Sequence, residues 1–308
     1  MDRALVRDGA FMGGIMPDTA KIKTKPIRIL TFDIEEWFHI LDTTISRSET
    51  CWGNYESRIH ANMERILDLL GRHNQRATFF CLGWIARKYP DIIRAIADKG
   101  FEIGSHSSLH QLVYELGPGA FKRDVADSVN ALQECIGKKI TLFRAPGFSI
   151  GKKTPWAFEI LASCGMETDS SVFPAPHGHG GFKEYGHARP SIISVNGMTI
   201  KEFPINLFSL LGKNMVFSGG GYFRLLPYSL LLPLFKKSPY VMTYFHPRDF
   251  DASQPIIEGL PWRRRFKSYI GLKGAFSKLD RLLGDFTFTD LRGASENIDW
   301  AGAPVVKL

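Results

Sequence analysis

The sequence predicts an α/β fold made of repeated βα units. Short strand-like apolar runs alternate with longer stretches at helical spacing, a pattern that suits neither an all-β nor an all-α chain. Proline stands near the first turn of three of the helical stretches and glycine closes three, where helix-end physics favours them. The chain has 308 residues, 44% apolar and 23% charged, enough for a substantial core at an ordinary globular composition. One α/β domain is expected.

The elements follow in order. Residues 1–25 carry no sustained apolar run of the signal-peptide kind and are expected to form a mobile extension, with Met1, Met12 and Met16 all eligible starts. Expected strands are IRILTF (27–32), ATFFCL (77–82), FEIG (101–104), ITLFR (140–144), METD (166–169) and YVMTYF (240–245). Expected helices are 56–73, 90–100, 118–137 and 154–165; in the third, Phe121, Val125, Val129 and Leu132 share a face. Residues 170–225 break the rhythm with PAPHGHGGFKEYGHARP, further strand-like pieces and FSGGGYF, an elaborate loop region of the kind on which sites are built. Residues 261–284 carry seven Lys or Arg against one Asp, with apolar residues at roughly helical spacing. They predict a basic amphipathic helix, weakened by Gly271 and Gly274, that either packs its apolar face on the domain or lies on a membrane surface. The assigned core thus spans 26–290, and 291–308 is expected to be a tail.

A formal charge of +8 points to an anionic partner: a membrane surface, a nucleic acid or a phosphorylated substrate. Cys51, Cys81, Cys135 and Cys164 are widely spaced with no CxxC pair, so neither a disulfide framework nor a cysteine zinc site is indicated, and they fit a reducing compartment. No stretch is long and apolar enough to span a bilayer. A cytoplasmic location is the expectation.

The chemistry concentrates in two short stretches. TFDIEEWFH (31–39) places three carboxylates behind an apolar strand, and HSSLH (106–110) follows another. On a strand, Asp33 and Glu35 share a face while Glu36 points away. Two histidines four apart on a helical turn can grip one ion. His106, His110 and one carboxylate would then be ligands, with the other carboxylate free as general base beside an open coordination position, an arrangement that hydrolyses an amide or ester.

The chain resembles the NodB-like polysaccharide deacetylases, carbohydrate esterase family four. TFDIEE, HSSLH, RAPGFS (144–149), DSSVFP (169–174) and YFHP (244–247) are similar to the family's five motifs, in order. GGGYFRLLP (219–227) and FHPRDFD resemble the branch found in bacterial exopolysaccharide and exosortase-linked gene clusters. The resemblance implies a distorted (β/α) barrel of about seven strands with its site at the C-terminal strand ends. It implies Asp33 as base, Arg144 as the cation that keeps Asp33 ionised, His246 as general acid and Asp169 as the group that orients His246. Where many members read TFDD and use the second Asp on the metal, this chain has Ile34; members with Asp-x-Glu agree with the strand-face argument for Glu35 as ligand. Trp37, Pro146, Phe173, His177 and Tyr244 are the expected substrate contacts, Tyr244 replacing the usual leucine. His177, His179 and His187 lack ligand spacing and read as a loop over the site rather than a second metal centre.

The implied reaction is metal-dependent removal of an N-acetyl group from an amino sugar. Zinc is the default ion, with cobalt and nickel acceptable to the same ligands. The expected substrate is a surface polysaccharide or a lipid-linked precursor at the inner face of the membrane, with peripheral contact to anionic lipid and no nucleic acid. Two other readings are an amidohydrolase acting on a non-sugar amide and a catalytically silent sugar-binding protein; an intact acid and base argue against the silent one.

Overall fold

The computed structural model describes residues 25–41, 49–210 and 213–308. The expected N-terminal extension, up to residue 24, lies outside the described residues. The strands are β1 (Ile27–Ile29), β2 (Thr31–Ile34), β3 (Thr78–Cys81), β4 (Glu102–Ser105), β5 (Leu142–Phe143), β6 (Thr168–Asp169), β7 (Ser191–Val195), β8 (Met198–Glu202), β9 (Phe208–Leu210), β10 (Lys213–Met215), β11 (Tyr240–Met242) and β12 (Val305–Lys307). Every expected strand appears: 27–32 is split into β1 and β2 and runs on to Ile34, 101–104 is shifted by one residue, and the others are trimmed.

Strands β2, β3, β4, β5, β6 and β8 lie side by side and parallel, and β1 pairs in parallel with β11. β2 to β6 are buried on both faces, as in a parallel sheet covered on each side. The ring continues past β2 through a parallel bridge from Phe32 to Phe245, with Asp33 N–H donating to Phe245 O at 2.7 Å. On the far side the backbone ladder is interrupted, and a side chain completes it. Asn206 Oδ1 accepts from Met242 N–H (2.9 Å) and Ser218 Oγ (2.8 Å), tying the chain after β8 to β11. The result is a distorted barrel of about seven strands; between it and the helices Phe32 stacks on Phe79 at 5.3 Å between ring centroids, with Phe245 and Phe250 against Phe32.

Helices cover the outside: Ile59–Arg72, Pro90–Asp98, Val113–Ile136 and Trp156–Ser163 match the four expected. The third starts earlier than the periodicity predicts, because a kink at Gly117 (φ 72°) precedes the helix that Pro118 opens. Three expectations are corrected. The basic stretch is two helices, Trp262–Tyr269 and Leu272–Asp285, broken where Gly271 takes φ 72°. A Cβ at Gly271 would run into Arg224 O. The second helix buries Ala275, Leu279, Leu282 and Leu283, whereas the first buries no side chain. Residues 291–308 are not a loose tail: Leu291 and Ala294 are buried, and β12 pairs in parallel with β7. Finally, β7 and β8 form a hairpin through Asn196 (φ 45°) and Gly197 (φ 80°), an Asn-Gly turn signal within the stretch read only as strand-like pieces. No helix among the described residues is long and apolar enough to cross a membrane.

Because Asn206 closes the barrel with one buried side chain, Asn206→Ala leaves the Met242 N–H unpaired. A loss of about 2 kcal/mol is expected in urea unfolding, against less than about 1 kcal/mol for Ser218→Ala.

Candidate metal and catalytic site

The strand period divides the three carboxylates of TFDIEE. Asp33 and Glu35 face one cleft, and Ile34 between them is fully buried in the apolar core. Glu36 turns away. Its Oε1 accepts from Ser57 Oγ (2.5 Å) and from the backbone N–H groups of Arg58 (3.0 Å) and Ile59 (3.2 Å), so it seals the start of helix Ile59–Arg72, where a carboxylate is favoured.

HSSLH is not a helical turn, which corrects the expectation. Ser107 (φ 71°) and His110 (φ 54°) both take left-handed backbone. Such conformations are unfavourable for these residues and must be held from outside. Asp124 does so by accepting from Ser108 N–H (3.0 Å) and Leu109 N–H (3.3 Å), while Ser107 Oγ accepts from His110 N–H (3.0 Å). The loop thereby brings the two rings to 5.3 Å between centroids.

Glu35, His106 and His110 each offer one ligand atom within 4.8 Å of the others. The donor set fits a divalent ion. His106 Nδ1–H donates to Arg144 O at 2.8 Å, which leaves Nε2 as the lone-pair nitrogen facing the cleft. Burial pushes His106 down to about 4 against the opposing charge of Asp33, keeping it in the neutral form that binds metals. Glu35 Oε2 is buried and lies 2.8 Å from His110 Nε2 without the alignment of a hydrogen bond, as two ligand atoms directed at one point would. Burial raises the Glu35 carboxyl, but His110, His246 and His106 outweigh it and hold the group well below the usual carboxylate range.

Asp33 Oδ1 receives Arg144 at 2.8 Å. The Arg144 guanidinium is wholly buried, also donating to Thr31 Oγ1 (2.7 Å), Ser170 O (3.2 Å) and Ser170 Oγ (2.9 Å), with the Phe80 ring centroid at 4.2 Å. Across the cleft His246 Nε2 stands 3.2 Å from Glu35 Oε1 and 3.9 Å from Asp33 Oδ2.

The group behind His246 is not Asp169, as expected, but Asp249. Its Oδ2 lies 3.1 Å from His246 Nδ1 and accepts the His246 backbone N–H at 2.9 Å, while Oδ1 pairs with Arg224 Nε at 3.0 Å. Burial lowers the His246 pKa, but the Asp249 hydrogen bond and the charges of Glu35 and Asp249 outweigh it and raise it to about 9. Burial raises Asp249, and Arg224 and His246 more than reverse that, to about 2. Asp169 is turned instead to Ser171, whose Oγ donates to it at 2.6 Å, and to Glu202; burial pushes both carboxyls up, Glu202 the further. Asp169 therefore supports the Arg144 segment, since Ser171 Oγ accepts from Ala145 N–H (2.8 Å). Asp249 was findable in sequence: an acid three residues after His246, across a proline, is a capping arrangement.

The cleft holds about 240 Å³ and adjoins a groove of about 620 Å³. His177 and Tyr244 line both, and Phe173 lines the groove. Two expected substrate contacts are corrected. Trp37 packs on Phe38 and Tyr55 and donates to Glu56 O at 2.9 Å, because its strand-end neighbours turn it into the core. Pro146 is buried in the turn whose neighbours Ala145, Gly147 and Phe148 line the cleft. His179 lines the cleft and His187 does not. His39, not anticipated, also lines it. Its Nδ1 accepts from Glu36 N–H (3.2 Å), its Nε2 has no hydrogen-bond partner, and burial pushes it down to about 3.

Residues 23–168 match the family described as polysaccharide deacetylase, and residues 170–296 match a domain of unknown function, DUF3473. A peptidoglycan-N-acetylglucosamine deacetylase of Bacillus cereus is 32% identical over 96 residues, 31% of this chain and 35% of that protein. A chitooligosaccharide deacetylase of Rhizobium leguminosarum bv. trifolii is 31% identical over 68 residues, 22% of this chain and 32% of its own length. The matches thus span about a third or less of these relatives. A solved structure from Mycobacterium smegmatis, assigned to the polysaccharide deacetylases, shares the fold at TM-score 0.60 and 18% identity, covering 89% of this chain and 93% of that one.

Calorimetric titration with Zn²⁺ tests the ligand set. Glu35→Ala and His110→Ala are expected to weaken binding by more than about 100-fold. Glu36→Ala keeps the affinity while lowering stability by about 2 kcal/mol, as loss of a buried helix-end acceptor requires.

Proposed function

We propose that this chain, whose residues 23–168 belong to the polysaccharide deacetylase family, is a divalent-metal-dependent hydrolase that removes the N-acetyl group from an amino sugar. The substrate would be part of a bacterial surface polysaccharide or its lipid-linked precursor. One observation carries the reading: a single cleft brings a Glu-His-His ligand set together with an Arg-held carboxylate and an Asp-held histidine. A pure binder has no use for an acid and a base on opposite sides of a ligand set.

In this reading Glu35, His106 and His110 hold the ion, with zinc the default and cobalt or nickel acceptable. When bound, the ion supplies Lewis-acid polarisation of the acetamide carbonyl and acidifies water. Asp33 Oδ2, the oxygen that Arg144 does not occupy at Oδ1, takes the proton of the attacking water. His246 Nε2, facing the cleft while Nδ1 is anchored by Asp249, delivers a proton to the departing sugar nitrogen. The products are acetate and a free amino sugar. Phe148 and Tyr244, with ring centroids 5.1 Å apart, offer the apolar wall against which a sugar face can stack.

Acetate release from N-acetylated chito-oligosaccharides is the direct assay. Activity is expected to disappear with a chelator and return with Zn²⁺. Asp33→Asn and His246→Ala should each lower kcat by about 10²- to 10⁴-fold, the usual range for a positioned acid or base. Asp249→Asn is expected to lower kcat more than Asp169→Asn does, with Asp169→Asn acting mainly on the unfolding midpoint. Absence of acetate from every N-acetylated saccharide and lipid-linked sugar tested with zinc, cobalt or nickel would sink the reading.

A further inference from the structure

The groove beside the cleft has a lining unlike that of a carbohydrate subsite. Its cations are Arg263, Arg264 and Lys267, and it has no carboxylate among its lining residues. Arg264 already donates to His179 Nε2 at 2.9 Å. Arg263 and Lys267 have no carboxylate partner among the described residues. Apart from His177 and the hydroxyls of Tyr222 and Tyr244, the side chains of the remaining wall are apolar, with Phe266 54%, Leu225 48% and Tyr222 46% exposed. Large apolar side chains converging on a surface groove mark a binding site rather than packing. A polysaccharide would call for polar donors and acceptors; cations among aliphatic and aromatic side chains complement an anionic headgroup joined to an apolar chain.

The helix that forms this wall, Trp262–Tyr269, has no fully buried side chain; Tyr269 is half-buried and its hydroxyl accepts from Ile257 N–H at 2.9 Å. It is held at its end by Arg224, which donates to Lys267 O (3.0 Å), Ser268 O (2.9 Å) and Ile270 O (2.9 Å). The same Arg224 pairs with Asp249 behind His246. Lys267, His177 and Tyr244 line both cavities, so an occupant of the groove continues directly into the cleft.

We propose that the groove binds the carrier to which the sugar is attached: a phosphate-bearing lipid, with Arg263 and Lys267 pairing with phosphate and Leu225, Phe266 and Tyr222 covering the first part of the chain. This rests on the deacetylase reading and names its substrate class as a sugar linked through phosphate to an apolar chain. The wall that receives the carrier and the acid that serves the sugar then share one arginine.

Two measurements test it. With Zn²⁺, N-acetylglucosamine joined through phosphate to an alkyl chain is expected to show a KM at least about tenfold below that of N-acetylchitotriose, the worth of one charge-assisted contact. Arg263→Glu and Leu225→Asp should erase that difference while leaving hydrolysis of N-acetylchitotriose unchanged. Calorimetric titration of octyl phosphate into metal-free protein gives a readout independent of activity. It should bind at least about tenfold tighter than octanol or inorganic phosphate and lose that margin in Arg263→Glu. Equal KM values, or octyl phosphate no tighter than inorganic phosphate, would overturn the inference and leave the deacetylase reading standing. So would binding to phosphatidylglycerol vesicles with no gain for the lipid-linked sugar, which would make the groove a membrane contact. If no substrate released acetate, the deacetylase reading would fail, and the octyl phosphate titration would still decide the groove.

Discussion

The buried pairing of Arg144 with Asp33 is the contact on which the rest of the site depends. A guanidinium with no exposed surface is tolerable only if its donors are spent, and here strand ends supply every acceptor: Thr31 and Asp33 from β2, Ser170 just past β6. Removing one partner of such a pair leaves an uncompensated buried charge, a destabilisation of about 3–5 kcal/mol. The need to satisfy Arg144 therefore fixes how far β2 stands from the ends of β5 and β6 across the barrel. Its own carbonyl receives His106, so the position of the first histidine follows from the same residue.

Around that pair, polar groups act in tiers. Asp169, Glu202 and Ser171 hold the segment after β5; Asp124 holds the strained loop that carries His110; Arg224 holds Asp249, which holds His246. Asp33, His106, the His110 loop and His246 thus each have a buried partner that positions them. Pre-organisation of this kind is what a hydrolytic site requires, because groups placed in advance need not be reoriented as charge develops.

Much of this was legible in order along the chain. The βα rhythm predicted six strand segments and four helices, and the period of two alone separated Asp33 and Glu35 from Glu36. What the sequence hid had physical causes. HSSLH has helical spacing, but a carboxylate from a distant helix holds it in left-handed backbone. The basic stretch has one amphipathic period, but a close approach of Arg224 O to Gly271 breaks it. Trp37 sits beside the carboxylates in sequence, yet the turn that carries Glu36 to its helix takes Trp37 into the core.

The amino-acid sequence by itself determined the chemistry available: two carboxylates on one strand face, two histidines after another strand, and a third histidine near the end of the barrel. Motif order along a βα chain was sufficient for that, since each motif stands at the end of its own strand. Only the tertiary structure decided the second partners. Whether Asp169 or Asp249 stands behind His246 depends on where two loops meet, and no local period encodes that. Nor does any local period encode the groove, whose walls come from four separate segments, two of them tied together by one buried arginine, Arg224.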